Sequence, residues 1–163
     1  MPGPPSSFRA ALATLTEDGV ELVVVGGVAA LLGGAPISTF DLDVVHRRTP
    51  DNIVRLLAAL SRMDARYRDP AGRVLRPDAR GLEGPGHHLL MTMFGPVDVL
   101  GQIGDGASYD DLLPDTVIGH VDGHTIRVLG LPRLIAEKER LGRDKDLAVL
   151  AILRRTLIES GAR

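Results

Sequence analysis

The chain has 163 residues, of which 44% are apolar, 25% charged and only 3% aromatic, and its formal net charge is -2. This length and composition are typical of one ordinary globular domain with a hydrophobic core. The lack of cysteine excludes disulfides and thiolate metal sites, and the slight negative charge argues against tight nonspecific binding of nucleic acid. We expect a single domain over residues 1–163, with a flexible leader at residues 1–7.

Neither a signal peptide nor a membrane-spanning stretch is expected from the sequence. The N-terminus lacks a basic start followed by an apolar run, so no signal peptide is predicted. The longest apolar stretches are too short to span a bilayer. We therefore expect a cytoplasmic protein without a membrane partner.

The first elements of the chain are predicted as helix, strand and helix. Ser7 is placed to cap a helix with one apolar face. Residues 21–25 form a β-branched run that is typical of a buried strand. Gly26 and Gly27 follow at once, and a short helix is predicted over residues 28–32.

The middle of the chain contains a second strand, a helix and a long loop. Residues 39–46 are predicted as the strand, and Thr49-Pro50 begins the helix. Residues 61–86 are rich in Arg, Gly, Asp and Pro. We interpret them as a surface loop with one possible edge strand at residues 73–76, and long loops are often functional.

The last part of the chain is predicted as two hairpins and two helices. The first hairpin joins residues 87–94 to residues 97–100 through a Gly95-Pro96 turn, and the second turns at Asp122-Gly123. Helices follow over residues 132–141 and 146–158. The order of elements predicts an α/β domain with antiparallel pairs in its central sheet.

The stretch VVVGGVAALLGGAPISTFDLDVV holds the residues that point to chemistry. Gly26 and Gly27 lie where a strand passes into a helix, and glycine lets the backbone turn sharply and approach a ligand. The unpaired first amides of a helix lie at the positive end of its dipole, where phosphate can bind. A plain strand-to-helix turn explains the pair equally well, so this feature alone leaves both interpretations open.

Asp41 and Asp43 lie two residues apart on the predicted second strand. Strand side chains alternate between faces, so both carboxylates should point the same way, about 7 Å apart. Two like charges this close repel unless a cation lies between them. Mg²⁺ binds carboxylate and phosphate oxygens, so the pair predicts a Mg²⁺ (or Mn²⁺) site. The alternative is a solvated strand face that carries two acids.

The order Gly-Gly, short helix, Ser-Thr and Asp-x-Asp resembles the signature of the nucleotidyltransferase superfamily, which includes polymerase-beta-like enzymes and minimal nucleotidyltransferases. In that superfamily a third carboxylate usually lies on a later strand. Here GPVDVL supplies Asp98. The resemblance implies a mixed sheet flanked by helices, with Asp41, Asp43 and Asp98 as the catalytic, metal-binding residues and Asp98 accepting the proton of the attacking hydroxyl.

The stretch VLGLPRLIAEKERLGRDKDLAVLAIL is similar to the C-terminal part of AbiEii-type nucleotidyltransferase toxins of abortive-infection systems. Those proteins carry a helix with a lysine, then a Gly-Arg-x-Lys-Asp segment and a closing helix. The resemblance implies a nucleotide-binding set made of Gly26, Gly27, Ser38, Thr39, Lys138, Arg143, Lys145 and Asp146.

The resemblance implies a metal-dependent enzyme that moves a nucleoside monophosphate from a nucleoside triphosphate to an acceptor. The toxin family suggests a tRNA or protein acceptor and an antitoxin partner. Two alternatives stay open: an enzyme that modifies small molecules such as aminoglycosides, and a non-catalytic nucleotide-binding or interaction module that keeps the fold. Ile37 and Phe40 stand where the family often has basic or polar residues, which favours the module.

Residues 61–86 also contain a cluster of arginines. Its members are Arg62, Arg66, Arg68, Arg73, Arg76 and Arg80. Such a cluster can bind RNA phosphates, but acids are interspersed with it, so we prefer a mixed solvated surface. His46 is expected to face away from Asp43, and structural roles are preferred for His87 and His88.

Overall fold

The computed structural model describes residues 6–161. Its strands are β1 (Leu22–Val25), β2 (Leu42–His46), β3 (Arg66–Tyr67), β4 (His87–Thr92), β5 (Gly95–Leu100), β6 (Thr116–Val121) and β7 (His124–Leu129). They form one seven-stranded sheet in the order β3-β4-β5-β2-β1-β7-β6. β1 is parallel to β7 and β2 to β5, whereas the other neighbouring pairs are antiparallel.

Seven helices flank this sheet within the described residues. They are α1 (Ser6–Glu17), α2 (Gly26–Leu32), α3 (Pro50–Arg62), α4 (Ala79–Glu83), α5 (Tyr109–Leu112), α6 (Leu131–Leu141) and α7 (Asp144–Glu159). α3 packs against α1 and α4, while α6 packs along α7 and contacts α2. The predicted α/β fold, with a mixed sheet and two C-terminal helices, is confirmed.

The core forms where the sequence periodicity predicts it. The apolar face of α1 is buried, and so is every residue of β1. α3 begins as predicted, with Thr49 in extended conformation at the cap and Pro50 in the first turn. None of the helices within residues 6–161 is long and apolar enough to cross a membrane.

The segment between α3 and β4 differs from the prediction. The predicted strand at residues 73–76 is wrong, and β3 forms the edge of the sheet instead. The Asp69 side chain accepts hydrogen bonds from the backbone N–H groups of Ala71 and Arg73, which folds this stretch into a loop. A single backbone bond, from Tyr67 N–H to the Leu75 carbonyl (2.8 Å), ties the loop to β3.

Several boundaries also shift. The β4–β5 hairpin turns at residues 93–94, because Gly95 is already the first residue of β5, with φ of 103°. The second strand begins at Leu42 rather than at residue 39, and α2 begins at Gly26 itself. α1 starts at Ser6, and the first five residues of the predicted leader at residues 1–7 lie outside the described part of the chain.

One region carries structure that the sequence interpretation missed. Residues 101–115 contain the single turn of α5, followed by a 3-10 turn at Leu113–Asp115. Ser108 and Asp111 form a capping box around α5: the Ser108 N–H donates to the Asp111 carboxylate at 2.9 Å. These elements cover the sheet beside β1 and β7.

Candidate active site

A row of paired residues crosses the sheet and brings two of the predicted acids together. Asp43 on β2 pairs with Val25 on β1 and, on its other side, with Asp98 on β5. Asp98 in turn pairs with Leu89 on β4. Directly paired residues point to the same face of a sheet, so the carboxylates of Asp43 and Asp98 lie side by side on one face.

Arg68 connects this row with the third acid. Asp41 precedes β2 instead of lying within it. The Arg68 guanidinium donates from Nη2 to Asp98 Oδ1 at 2.6 Å, and its Nη1 lies 3.8 Å from Asp41 Oδ1. The backbone N–H of Arg68 donates to the Leu89 carbonyl at 3.0 Å, which extends the row to the edge of the sheet. The sequence interpretation had assigned Arg68 to a solvated surface.

The surroundings of Asp43 disfavour its charged form. Burial is the largest cause, followed by the hydrogen bond with the Asp98 side chain and the negative charges of Asp98 and Asp41. Together they raise the pKa of Asp43 to about 8, although the positive charge of Lys138 opposes them. A positive charge close to this carboxylate would favour its ionised form.

Gly26 and Gly27 pack directly against the acidic segment. Gly26 has φ of 65°, and a Cβ there would overlap the Asp43 carboxylate. A Cβ on Gly27 would overlap Thr39, whose hydroxyl donates to the Asp41 carbonyl at 3.3 Å. Only glycine therefore fits at either position without displacing a neighbour.

A cavity of about 450 Å³ opens beside this turn. Its lining includes Gly26, Asp43, Leu129, Lys138 and Arg143, so it joins the acidic row to the C-terminal helices. The volume lies within the range of small-molecule and cofactor pockets, roughly 300–1,000 Å³. The predicted residues Gly26, Asp43, Lys138 and Arg143 thus share one space.

Asp146 holds two of the three basic side chains that line this cavity, and the third, Arg140, pairs with Asp105 and Glu137. Lys138 Nζ lies 3.1 Å from Asp146 Oδ1, and Arg143 donates to Asp146 from Nε (2.5 Å) and Nη2 (3.2 Å). Asp146 is fully buried, and its pKa is lowered to about 2, first by the hydrogen bonds from Arg143 and then by Lys138. The structure therefore places Asp146 behind the cations, away from the cavity.

Two other predicted residues lie apart from the cavity wall. Ser38 is exposed in the segment before β2, and Lys145 is exposed in the first turn of α7. None of the ion pairs formed by residues 6–161 involves Lys145.

His46 and His88 have structural surroundings, whereas His87 is exposed and lines the cavity, with its Nε2 2.9 Å from the Gln102 carbonyl. His46 is fully buried on the sheet face opposite Asp43, and its Nε2 lies 2.8 Å from the Leu82 carbonyl. The Nδ1 of His88 lies 2.7 Å from the Tyr67 hydroxyl. Burial lowers the pKa of both imidazoles, so neither carries charge at neutral pH.

The three acids are not arranged as a ready-made metal site. Within residues 6–161, no three carboxylate or imidazole side chains converge so that they could hold a metal ion. Asp98 instead accepts the Arg68 guanidinium, which also faces Asp41. The donor chemistry nevertheless suits a hard divalent cation, because carboxylate oxygens are the ligands that Mg²⁺ takes.

Comparison with known proteins gives matches in structure alone. No protein-family model matches the chain. No curated protein sequence matches it significantly. A proposed nucleotidyltransferase from Thermotoga maritima superposes with a TM-score of 0.55 and 19% identity, over 93% of this chain and 91% of that one.

Two structures of the antibiotic-resistance factor ANT(2″)-Ia are also similar. Its solution structure gives a TM-score of 0.59 at 15% identity, over 93% of this chain and 83% of that one. Its crystal structure with adenylyl-2″-tobramycin gives 0.57 at 14% identity, over 92% and 87%. These likenesses show that the chain has a nucleotidyltransferase-like fold.

Proposed function

We propose that this protein is a nucleotidyltransferase, which moves a nucleoside monophosphate from a nucleoside triphosphate to an acceptor hydroxyl. The observation that carries the proposal is the side-by-side pairing of Asp43 and Asp98 next to the Gly26 turn. Facing acids in a folded sheet are unfavourable without a cation. A functional use explains why they lie at this point of a fold that nucleotidyltransferases also have.

In this proposal Asp41, Asp43 and Asp98 hold Mg²⁺ (or Mn²⁺). The raised pKa of Asp43 supports the assignment, since a divalent cation would favour the ionised carboxylate. When bound, such ions stabilise negative charge on the attacking and leaving oxygens. Arg68 already supplies positive charge between Asp41 and Asp98, so binding of the metal would release it from at least one of them.

The triphosphate would occupy the cavity beside Gly26. Lys138, Arg140 and Arg143 supply its positive charge, and Asp146 keeps Lys138 and Arg143 in place. Gly26 and Gly27 would contribute close backbone approach, because no Cβ separates their amides from a ligand. Thr39 packs against Gly27 and would position this turn. Ser38 and Lys145 are exposed and would reach the phosphates from outside the cavity.

The transfer step then follows from the position of Asp98. The acceptor oxygen forms a bond to the α-phosphorus while the bond from that phosphorus to the bridging α–β oxygen breaks, and pyrophosphate leaves. The acceptor proton passes to the Asp98 carboxylate. Arg68 orients this carboxylate through its 2.6 Å hydrogen bond. Catalysis of this kind depends mainly on positioning and on charge stabilisation.

The candidate functions differ in the acceptor that each of them predicts. The similarity to AbiEii-type toxins favours tRNA or a protein acceptor, an antitoxin partner and a cytoplasmic location. The structural likeness to ANT(2″)-Ia, solved with adenylyl-2″-tobramycin, favours a small-molecule acceptor. Arg68, which lies between Asp41 and Asp98, favours a non-catalytic nucleotide-binding module.

Label transfer tests the proposed reaction. The protein is incubated with each α-³²P-labelled nucleoside triphosphate, Mg²⁺, and in turn total RNA, total protein or an aminoglycoside. We expect label in one acceptor class with the native protein and none with an Asp41→Ala, Asp43→Ala variant. Asp122→Asn is the matched control, because Asp122 lies in a distant turn at φ of 49°, which asparagine also adopts.

The outcomes separate the alternatives. Label in the aminoglycoside alone would support the small-molecule enzyme. Nucleotide binding without transfer to any acceptor would support the non-catalytic module, and equal transfer by native protein and the double variant would show that the acids do not catalyse it.

A further inference from the structure

A second cavity, of about 530 Å³, opens at the edge of the sheet next to β3. In the strand order it lies on the other side of the acids from the Gly26 turn. Its lining includes Arg66, Arg68 and Arg73 together with Tyr67 and Met91. None of the residues predicted to bind nucleotide lines it.

One side chain belongs both to this arginine cavity, defined by Arg66, Arg68 and Arg73, and to the acidic row. Arg68 lines the cavity while its guanidinium reaches Asp98 and Asp41. Its backbone is bonded to Leu89, the partner of Asp98 on β4. A molecule in the arginine cavity is therefore separated by one side chain from Asp98, to which we assign the acceptor proton.

The cavity carries more positive than negative charge. The acid among its lining residues, Asp69, accepts hydrogen bonds from Arg73 Nε (2.7 Å) and Nη2 (3.3 Å), and these bonds hold the pKa of Asp69 below its usual value. Arg66 is exposed and takes part in none of the ion pairs among residues 6–161.

We propose that the arginine cavity binds the acceptor, and that this acceptor is a single-stranded nucleic acid with a phosphate close to its reacting end. Arginine binds phosphate through paired N–H donors. Met91, which pairs with Arg66 across β3 and β4, adds apolar surface for a base. The inference rests on the proposed function, because it names the acceptor of that reaction. A polycationic aminoglycoside would be repelled here.

Fluorescence anisotropy with a short labelled oligoribonucleotide tests this site in the full chain. We expect an Arg66→Ser, Arg73→Ser variant to bind at least about tenfold more weakly. We also expect a shallower salt dependence, since each lost phosphate contact lowers the slope by roughly 0.7 for a single strand. The matched control is Arg154→Ser, Arg155→Ser on α7, which removes two arginines that pair with Glu139 and Glu159 and should bind as the native protein does.

Further variants and a competition experiment decide which molecule binds in the arginine cavity. Arg66→Ser alone should also bind more weakly, and its loss disturbs none of the ion pairs found within residues 6–161. Failure of the native protein to bind the oligonucleotide, or equal weakening of binding in both double variants, would contradict the proposal that the arginine cavity binds the acceptor. Displacement of the oligonucleotide by polyglutamate at the same charge concentration would overturn its assignment to nucleic acid.

Calorimetric titration of the same proteins with nucleoside triphosphate and Mg²⁺ separates this inference from the proposed function. Triphosphate binding without oligonucleotide binding would contradict the proposal that the arginine cavity binds the acceptor. It would not contradict the nucleotidyltransferase assignment. Oligonucleotide binding that depends on Arg66 and Arg73, without triphosphate binding, would contradict the assignment and support the cavity as a nucleic-acid site.

Discussion

Two carboxylates and one guanidinium, those of Asp43, Asp98 and Arg68, come together on one face of the sheet. Asp43 is half-buried and faces a second carboxylate, whereas Asp98 is held by a guanidinium. An arrangement of this kind lowers the stability of a folded protein and is typical of functional sites. Replacement of Asp43 should therefore change stability in the opposite sense to replacement of a core residue.

Asp43→Asn should stabilise the metal-free protein by about 1–2 kcal/mol, because it removes a buried carboxylate that faces another one. The measurement is urea unfolding at neutral pH in EDTA, with Asp122→Asn as the control for an exposed acid. The rise in melting temperature that Mg²⁺ and triphosphate give the native protein should disappear in Asp43→Asn. A variant less stable than the native protein, with an intact response to Mg²⁺, would assign Asp43 a structural role.

Gly26→Ala should cost more than an ordinary glycine substitution at positive φ. Both Gly26 (φ 65°) and Gly123 (φ 81°) have left-handed backbones, but a Cβ at Gly123 meets no atom within 4 Å, whereas at Gly26 it overlaps Asp43. We expect Gly123→Ala to lose about 1 kcal/mol from backbone strain and Gly26→Ala roughly 2–3 kcal/mol. Chemical denaturation compares the two, and equal losses would show that Asp43 moves aside freely.

Helices α6 and α7 are joined by one buried carboxylate. Asp146 lies in the first turn of α7 and binds Lys138 of α6 and Arg143 at the α7 cap. This junction fixes the orientation of both cations beside the cavity. The sequence predicts Lys138, Arg143 and Asp146 as members of one nucleotide-binding set. In the structure Lys138 and Arg143 line the cavity, and Asp146 holds both of them.

Asp146→Asn should destabilise the protein by about 2 kcal/mol at neutral pH, because it weakens hydrogen bonds to charged donors. The pKa of Asp146 is about 2 against an ordinary 3.8. Its stabilisation is therefore complete above pH 3.8 and is lost as the pH falls toward 2. The stability gap between native and variant proteins, measured by denaturation from pH 7 downward, should close over that interval.

Asp144→Asn serves as the control for the same helix turn, since Asp144 is exposed. It should change stability little at any pH. A gap for Asp146→Asn that stays constant down to pH 2 would mean that the carboxylate charge does not stabilise the junction.

Individual elements differ in how far the sequence predicts them. The β6–β7 hairpin was predicted because Asp122-Gly123 separates two β-branched runs. α5 and β3 span only four and two residues, too few for a periodicity to show. The strand expected at residues 73–76 was wrong because the Asp69 side chain competes for the backbone N–H groups of the segment.

The order and pairing of the strands in the whole sheet determine which residues of the site meet. The spacing of Asp41 and Asp43 predicts a common direction, but the contact of Asp43 with Asp98 requires the parallel pairing of β2 with β5, far apart in the chain. Arg68 was missed for the same reason: it reaches Asp98 only because β3, β4, β5 and β2 lie in that order. Long-range register of this kind has no local sequence signal.

The proposed metal and nucleotide sites are tested most directly by anomalous diffraction from crystals soaked with Mn²⁺ and a non-hydrolysable nucleoside triphosphate. We predict an anomalous peak between Asp41 and Asp43, a triphosphate that lies beside Gly26 and Lys138, and an Arg68 guanidinium that has left Asp41. Triphosphate bound elsewhere, or no Mn²⁺ at these acids while Arg68 keeps its place between Asp41 and Asp98, would contradict the proposed function.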